Sequence, residues 1–243
     1  MLLAFLDIPA EYTQEYNRWY DLDHLPEHVA KADVVAGRRY VATVALRDAP
    51  GVVAPEWGHP PYATTYLFGG SLPFTSAEAA AGWREKDRTI IKAGRFWREG
   101  RGVFTGRWHL EHARARSGCL VSEEAVPHLA HRGMVVALGR APSPERRDEA
   151  VSWWDGTHLV DLLAVPGVLG ALRFRSEDPA QANLVLHLLL CDDVTADVMV
   201  RIDDALRYHR AQGRFPAHGG VYEPMAFLPY DRIVPLDYDF EVG

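Results

Sequence analysis

The chain has 243 residues, 48% of them hydrophobic and 24% charged, and a formal net charge of −7. This balance suits a globular chain with a sizeable core and excludes a nucleic-acid surface, which needs clustered Lys and Arg to neutralise phosphates. The apolar start Met1–Pro9 carries Asp7 and no basic lead, so it predicts a strand rather than a signal or membrane span. Cys119 and Cys191 stand outside any paired metal or redox spacing and read as reduced thiols of a cytoplasmic protein.

In chain order, Leu2 to Ile8 is a predicted strand and Glu11 to Asp23 a helix. On that helix Tyr12, Tyr16, Trp19, Tyr20 and Asp23 share one stripe. Pro26 cannot continue a helix that needs its N–H, so His24 is expected at a corner before a short second helix, Pro26 to Ala30. Val34 to Leu46 reads as a second strand, Arg47 to Pro61 as a proline-rich loop and Tyr62 to Phe68 as a third strand. Thr75-Ser76 is an expected cap for a helix running through Trp83 towards Ile91, and Val103 to Leu110 a fourth strand. The same order then returns. Met134 to Gly139 is a strand, Ser143-Pro144-Glu145 a helix start, Val168 to Arg175 and Leu184 to Cys191 strands, Asp197 to His209 a helix and Val221 to Leu228 the last strand. A short helix is expected at Glu123 to Ala130, and Tyr230 to Gly243 reads as a tail packing across the other half.

The return is visible residue by residue. Ser152-Trp153-Trp154-Asp155-Gly156-Thr157-His158-Leu159 lines up with Arg18-Trp19-Tyr20-Asp21-Leu22-Asp23-His24-Leu25. At the same offset Arg173-Phe174 meets Arg39-Tyr40, and further on Gly213-Arg214-Phe215 repeats Gly94-Arg95-Phe96. The chain therefore reads as a tandem repeat with units at 1–112 and 132–243 and a linker at 113–131. Each unit has the order β-α-β-β-α-β of ferredoxin-like folds, an α+β class. Such a unit covers only one face of its sheet with helices, so the two sheets are expected to meet as an intrachain pseudo-dimer.

The pattern Trp19-Tyr20-Asp21, His24-Leu25-Pro26-Glu27 and Arg39-Tyr40 resembles the dimeric α/β-barrel proteins, and among them the EthD-like branch. The resemblance spans both halves. It implies two ferredoxin-like units closing into one barrel, with a small-molecule pocket between sheet and helices in each unit. Members include cofactor-independent monooxygenases, lactone isomerases, dehydratases and decarboxylases of aromatic or polyketide-like compounds, as well as haem-handling relatives. A fold with so many chemistries does not select one.

His24 beside Asp23 is the leading catalytic candidate, since an imidazole at a corner can move protons near neutral pH. Tyr16, Trp19, Tyr20, His28, Arg39, Tyr40 and Tyr66 are candidate substrate contacts, with Arg39 orienting a carboxylate or enolate oxygen. Arg39 and Tyr40 alternate on a strand, so only one can face the helices. His158 and His187 are the corresponding candidates of the second half, and His187 its best haem or substrate contact. Its corner lacks Asp23, Pro26 and His28, with Thr157, Val160 and Leu162 in their places, and is expected to be less polar. His24-Leu-Pro-Glu27-His28 spells the H-x-x-E-H zinc pattern, but the proline breaks the helix such a site uses, so no metal is expected. The sequence thus predicts a small-molecule enzyme using His-mediated acid/base chemistry, by dehydration, isomerisation, cyclisation or decarboxylation. It needs no cofactor. A cofactor-independent monooxygenase and a haem- or small-ligand-binding protein without turnover are the alternatives, and a further homodimer is compatible with either.

Overall fold

The computed structural model describes residues 1–31, 33–70, 77–215 and 220–243. Eight antiparallel strands close a barrel: β1 (Leu2–Asp7), β2 (Val34–Val41), β3 (Tyr62–Phe68), β4 (Arg101–Ala115), β5 (Gly133–Arg140), β6 (Val168–Ser176), β7 (Leu184–Cys191) and β8 (Glu223–Arg232). Around it they follow the order β1-β3-β2-β8-β5-β7-β6-β4. Helices α1 (Thr13–Trp19), α2 (Leu25–Val29) and α4 (Ala77–Lys92) belong to the first half, and α5 (Arg147–Trp153), α6 (Leu159–Leu163) and α7 (Thr195–Ala211) to the second, with α3 (Val44–Arg47) a single turn after β2. Among the described residues no helix is long and apolar enough to cross a membrane.

Two-sided burial explains the strand sequences. Leu184, Leu186, Leu188 and Leu190 of β7 point into the barrel with Phe5, Tyr40 and Trp108, while Leu189 and Cys191 lie under the helices with Val198 and Ile202. A strand buried on both faces reads as an unbroken apolar run, which is how β7 reads. Each such leucine contributes about 1.5–3 kcal/mol of burial.

Four expectations need correction or limits. The second strand stops at Val41, because Thr43 caps a helical turn by accepting the Leu46 N–H at 3.4 Å. The fourth strand runs on to Ala115, past the expected boundary at residue 112, because Trp108 to Ala115 pairs with β6 after Leu2 to Asp7 has used Arg101 to Arg107. This seam and the Tyr40–Val41 pairing with Asp231–Arg232 join the two halves of the barrel. Pro26 does not break the helix: it sits in the first turn of α2, and α1 passes into α2 through one π turn, Tyr20–His24. The expected cap at Thr75-Ser76 lies outside the described residues, as does His218.

Candidate functional site

The two helix corners share one construction. In each, a π turn, Tyr20–His24 or Trp154–His158, carries a bond five residues back, from Leu25 N–H to the Tyr20 carbonyl and from Leu159 N–H to the Trp154 carbonyl. Residues five apart on an α-helix point roughly 140° away from each other. The wider π turn closes that angle, so the His24 ring packs at 4.8 Å from Trp19 and the His158 ring at 5.0 Å from Trp153. The repeated Gly-Arg-Phe segments hold the tryptophans. Gly94 and Gly213, at φ of 70° and 69°, end α4 and α7 in the left-handed conformation glycine favours. The following carbonyls then accept the indole N–H groups, Trp19 to Arg95 at 2.8 Å and Trp153 to Arg214 at 3.3 Å. Phe96 and Phe215 complete the walls against His24 and His158.

Beneath each corner lies an ion pair that links helix to sheet, buried in the first and part-buried in the second. Arg39 donates to Asp21 at 2.7 Å and also to the Asn17 side chain, with its guanidinium 4.2 Å from the centre of the Tyr20 ring. Arg173 pairs with Asp155 in the same way. Arg39 is therefore held by Asp21 and Asn17, and it lines neither of the two cavities described below. The C-terminal tail adds to this support: Tyr238 Oη donates to Asp21 at 2.6 Å, and Gln14 donates to the Tyr238 carbonyl at 3.2 Å.

Above the first corner is a cavity of about 520 Å³, walled by Tyr20, His24, His28, Tyr66 and Asp87 and by Leu2, Ala4 and Leu6 of β1. The Tyr20 and Tyr66 hydroxyls are 3.1 Å apart. Burial raises both phenol pKa values, so both stay protonated. Whichever hydroxyl donates to the other, the acceptor keeps its own proton for a ligand. His28 Nδ1 lies 2.8 Å from the His24 carbonyl. A carbonyl only accepts, so that nitrogen carries the proton and Nε2 is the basic one. Nε2 faces Asp87 at 3.6 Å, and Asp87 also takes Lys31 Nζ at 2.8 Å. Burial, then the Lys31 charge, lowers the His28 pKa. His24 is pushed down to about 3 by burial and then by His28, and its Nδ1 has no partner. Both imidazoles are neutral at pH 7.

The remaining candidates fall elsewhere. Asp23 turns away from His24 and forms a two-pronged pair with Arg95 at 2.9 Å, and Glu27 joins it at 2.8 Å. The H-x-x-E-H residues therefore do not converge, and among the described residues no three His, Cys, Asp or Glu side chains gather as a metal site. Tyr16 is core, packed on Trp19, Tyr20, Tyr62 and Trp97. Tyr40 points into the barrel, where its hydroxyl meets His131 Nε2 at 2.9 Å. His187 is fully buried behind Trp154, stacked on it at 3.7 Å, and lines neither cavity. His158 does line a cavity, the larger one of about 1040 Å³ above the second corner.

Sequence reasoning missed Asp21 and Asp155 as the partners of the two arginines, although the Asp and Arg recur at matched offsets. It also missed Asp87, which sits on α4, and the cross-half contributions. Asp178 and Gln181 of the β6–β7 connection reach the first cavity, while Gly51 and Val53 of the β2–β3 loop reach the second.

No family model matches the sequence, and no curated protein matches it. Solved structures do. A chlorite dismutase-like protein aligns over 96% of this chain and 94% of its own, at a TM-score of 0.53 and 11% identity. An anthrone oxidase-like protein aligns over 96% of this chain and 90% of its own, at a TM-score of 0.51 and 15% identity. The likeness is one of fold: the eight-stranded antiparallel barrel described above is what this chain shares with both.

Proposed function

We propose that the chain is an enzyme that enolises a small, flat aromatic or polyketide-like ketone in the first cavity, with His28 as the base. The observation that carries this reading is the single cavity wall on which a neutral imidazole, its basic Nε2 turned towards Asp87, stands with a pair of protonated phenols. His28 Nε2 takes a proton from the carbon beside the carbonyl, and the electron pair moves onto the carbonyl oxygen. The Tyr20–Tyr66 pair donates to that oxygen as charge develops. The new imidazolium lies beside Asp87, which offsets its charge. This moves the acid/base role one helical turn along from His24 and Asp23. His24, without a carboxylate, is a neutral wall of the cavity. Returning the proton at a second carbon gives isomerisation, and expelling a β-hydroxyl as water gives dehydration.

A second reading shares the first step. The carbanion can instead meet dioxygen: the peroxide forms at the carbon, water leaves, and a CH2 becomes a C=O with no bound cofactor. The fold shared with an anthrone oxidase-like protein favours it. In the same reading the halves 1–112 and 132–243 are tandem ferredoxin-like units of EthD-like type, closed as an intrachain pseudo-dimer. The matched π turns, tryptophan clamps and Arg–Asp pairs support this.

The test is deuterium wash-in from D2O at the acidic carbon of anthrone and related ketones under nitrogen, followed by oxygen consumption in air. Wild type is expected to exchange well above buffer, H28Q to lose roughly 100-fold and H24Q to stay within about 10-fold. Exchange by H28Q at the wild-type rate, or none by wild type, overturns the proposal.

A further inference from the structure

The second cavity is built for a different ligand from the first. In the first, Asp87 and Asp178 outnumber Arg107 on the wall. In the second the balance reverses. Arg140, at the end of β5, and Arg210, in the last turn of α7, stand on the wall against one carboxylate, Glu223, which is paired in register with Arg140. Both guanidiniums are exposed, and among the described residues neither sits in an ion pair. Arg210 lies 5.1 Å over the Phe215 ring, which holds its charge at the cavity.

Between these charges the wall is aromatic. Trp153, Trp154, Phe215 and Tyr222 line it with His158. Gly139 makes room for Tyr222, since a Cβ there would fall 1.9 Å from the phenol ring. The Trp154 Nε1, on a side chain only 1% exposed, closes no hydrogen bond, although it lies near enough to the Tyr222 hydroxyl to oppose part of the rise that burial causes in that phenol's pKa.

We infer that the second cavity binds a flat aromatic carboxylate, its ring against Trp153, Trp154 and Tyr222 and its carboxylate on Arg140 and Arg210, while the first cavity excludes it. The inference does not depend on the reaction proposed for the first cavity.

Calorimetric titration with 2-naphthoate and with neutral 2-naphthamide tests it. Wild type is expected to bind one naphthoate per chain about tenfold tighter than naphthamide at low salt. In the double variant R140Q/R210Q that preference should fall to within about twofold, with unchanged circular dichroism, because both side chains are exposed. The first-cavity double variant H28Q/Y66F should keep it. Equal affinity for the two ligands in wild type, a preference that survives R140Q/R210Q, or its loss in H28Q/Y66F overturns the inference. R140Q/R210Q should leave deuterium exchange unchanged, so failure here is separable from failure of the proposed reaction.

Discussion

The two helix corners show which part of a repeated motif is architecture and which part is chemistry. Both keep the π turn, the indole clamped by a Gly-Arg-Phe carbonyl and the Arg–Asp pair to the sheet. They diverge one turn further on, where the first has His28 facing Asp87 and the second has Leu162, buried under its helices. The residues under the corner diverge too: Tyr20 and Tyr66 line the first cavity, whereas of Trp154 and Leu189 at the matching positions Trp154 lines the second and Leu189 is buried core. The histidine common to both corners recurs with the shared construction, and the unshared one, His28, is the residue that the proposed reading makes the base.

The largest effect should come from the shared pair. Arg39 and Asp21 are almost wholly buried, at 3% and 4% side-chain exposure, so D21A strands a buried guanidinium with only Asn17 to receive it. A loss of about 3–5 kcal/mol in urea unfolding is expected. D155A should cost clearly less, because Arg173 is more exposed at 12% and has Glu111 within 3.4 Å. Equal losses would mean that the two corners are equally tight, and the comparison would fail.

Acid comes next. His24 and His158 are pushed down to about 3, and His59 and His131 to about 4, in each case first by burial. The unfolded chain takes up these protons below its ordinary histidine pKa of about 6.5, and the folded chain does not. Stability is therefore full above pH 6.5 and lost as pH falls towards 4, on the order of 1.4 kcal/mol per pH unit for each such group at most. H158N should flatten that slope in a pH series of melting temperatures; an unchanged slope would show that His158 is not held neutral. The lowered pKa of His28 has a catalytic counterpart: the acid limb of turnover should lie below the ordinary histidine value of about 6.5.

The succession of strands and helices along the chain was legible because apolar runs report two-sided burial. Beyond that, local pattern ran out wherever a partner distant in sequence decides. Glu111 to Arg116 reads as a charged linker because its side chains form ion pairs, as Glu111 does with Arg147 at 2.7 Å, while its backbone continues β4 along β6. Asp23 looked like a partner for His24 because it is adjacent, but the Arg95 that claims it comes after α4. The Asp87 that faces His28 comes from α4, about sixty residues along the chain, which no local pattern at His28 announces. The π turns did leave a trace, a Trp-to-His spacing of five residues repeated in both halves, which an unmodified α-helix cannot bring face to face.

The smallest predicted effect tests that trace directly. W19F and W153F each remove an indole N–H from a Gly-Arg-Phe carbonyl while keeping a ring beside the histidine. The Trp19 bond is shorter, 2.8 Å against 3.3 Å, and both are water-accessible, so each should cost only about 1 kcal/mol, with W19F the larger. The informative readout is local. If the clamp serves to aim the histidine, hydrogen exchange at Leu25 N–H, bonded to Tyr20, should speed up in W19F and leave Leu159 N–H unchanged, with the reverse in W153F. Loss of protection at both turns in either variant would mean that the corners are coupled through the barrel, and that treating them as two independent copies of one device is wrong.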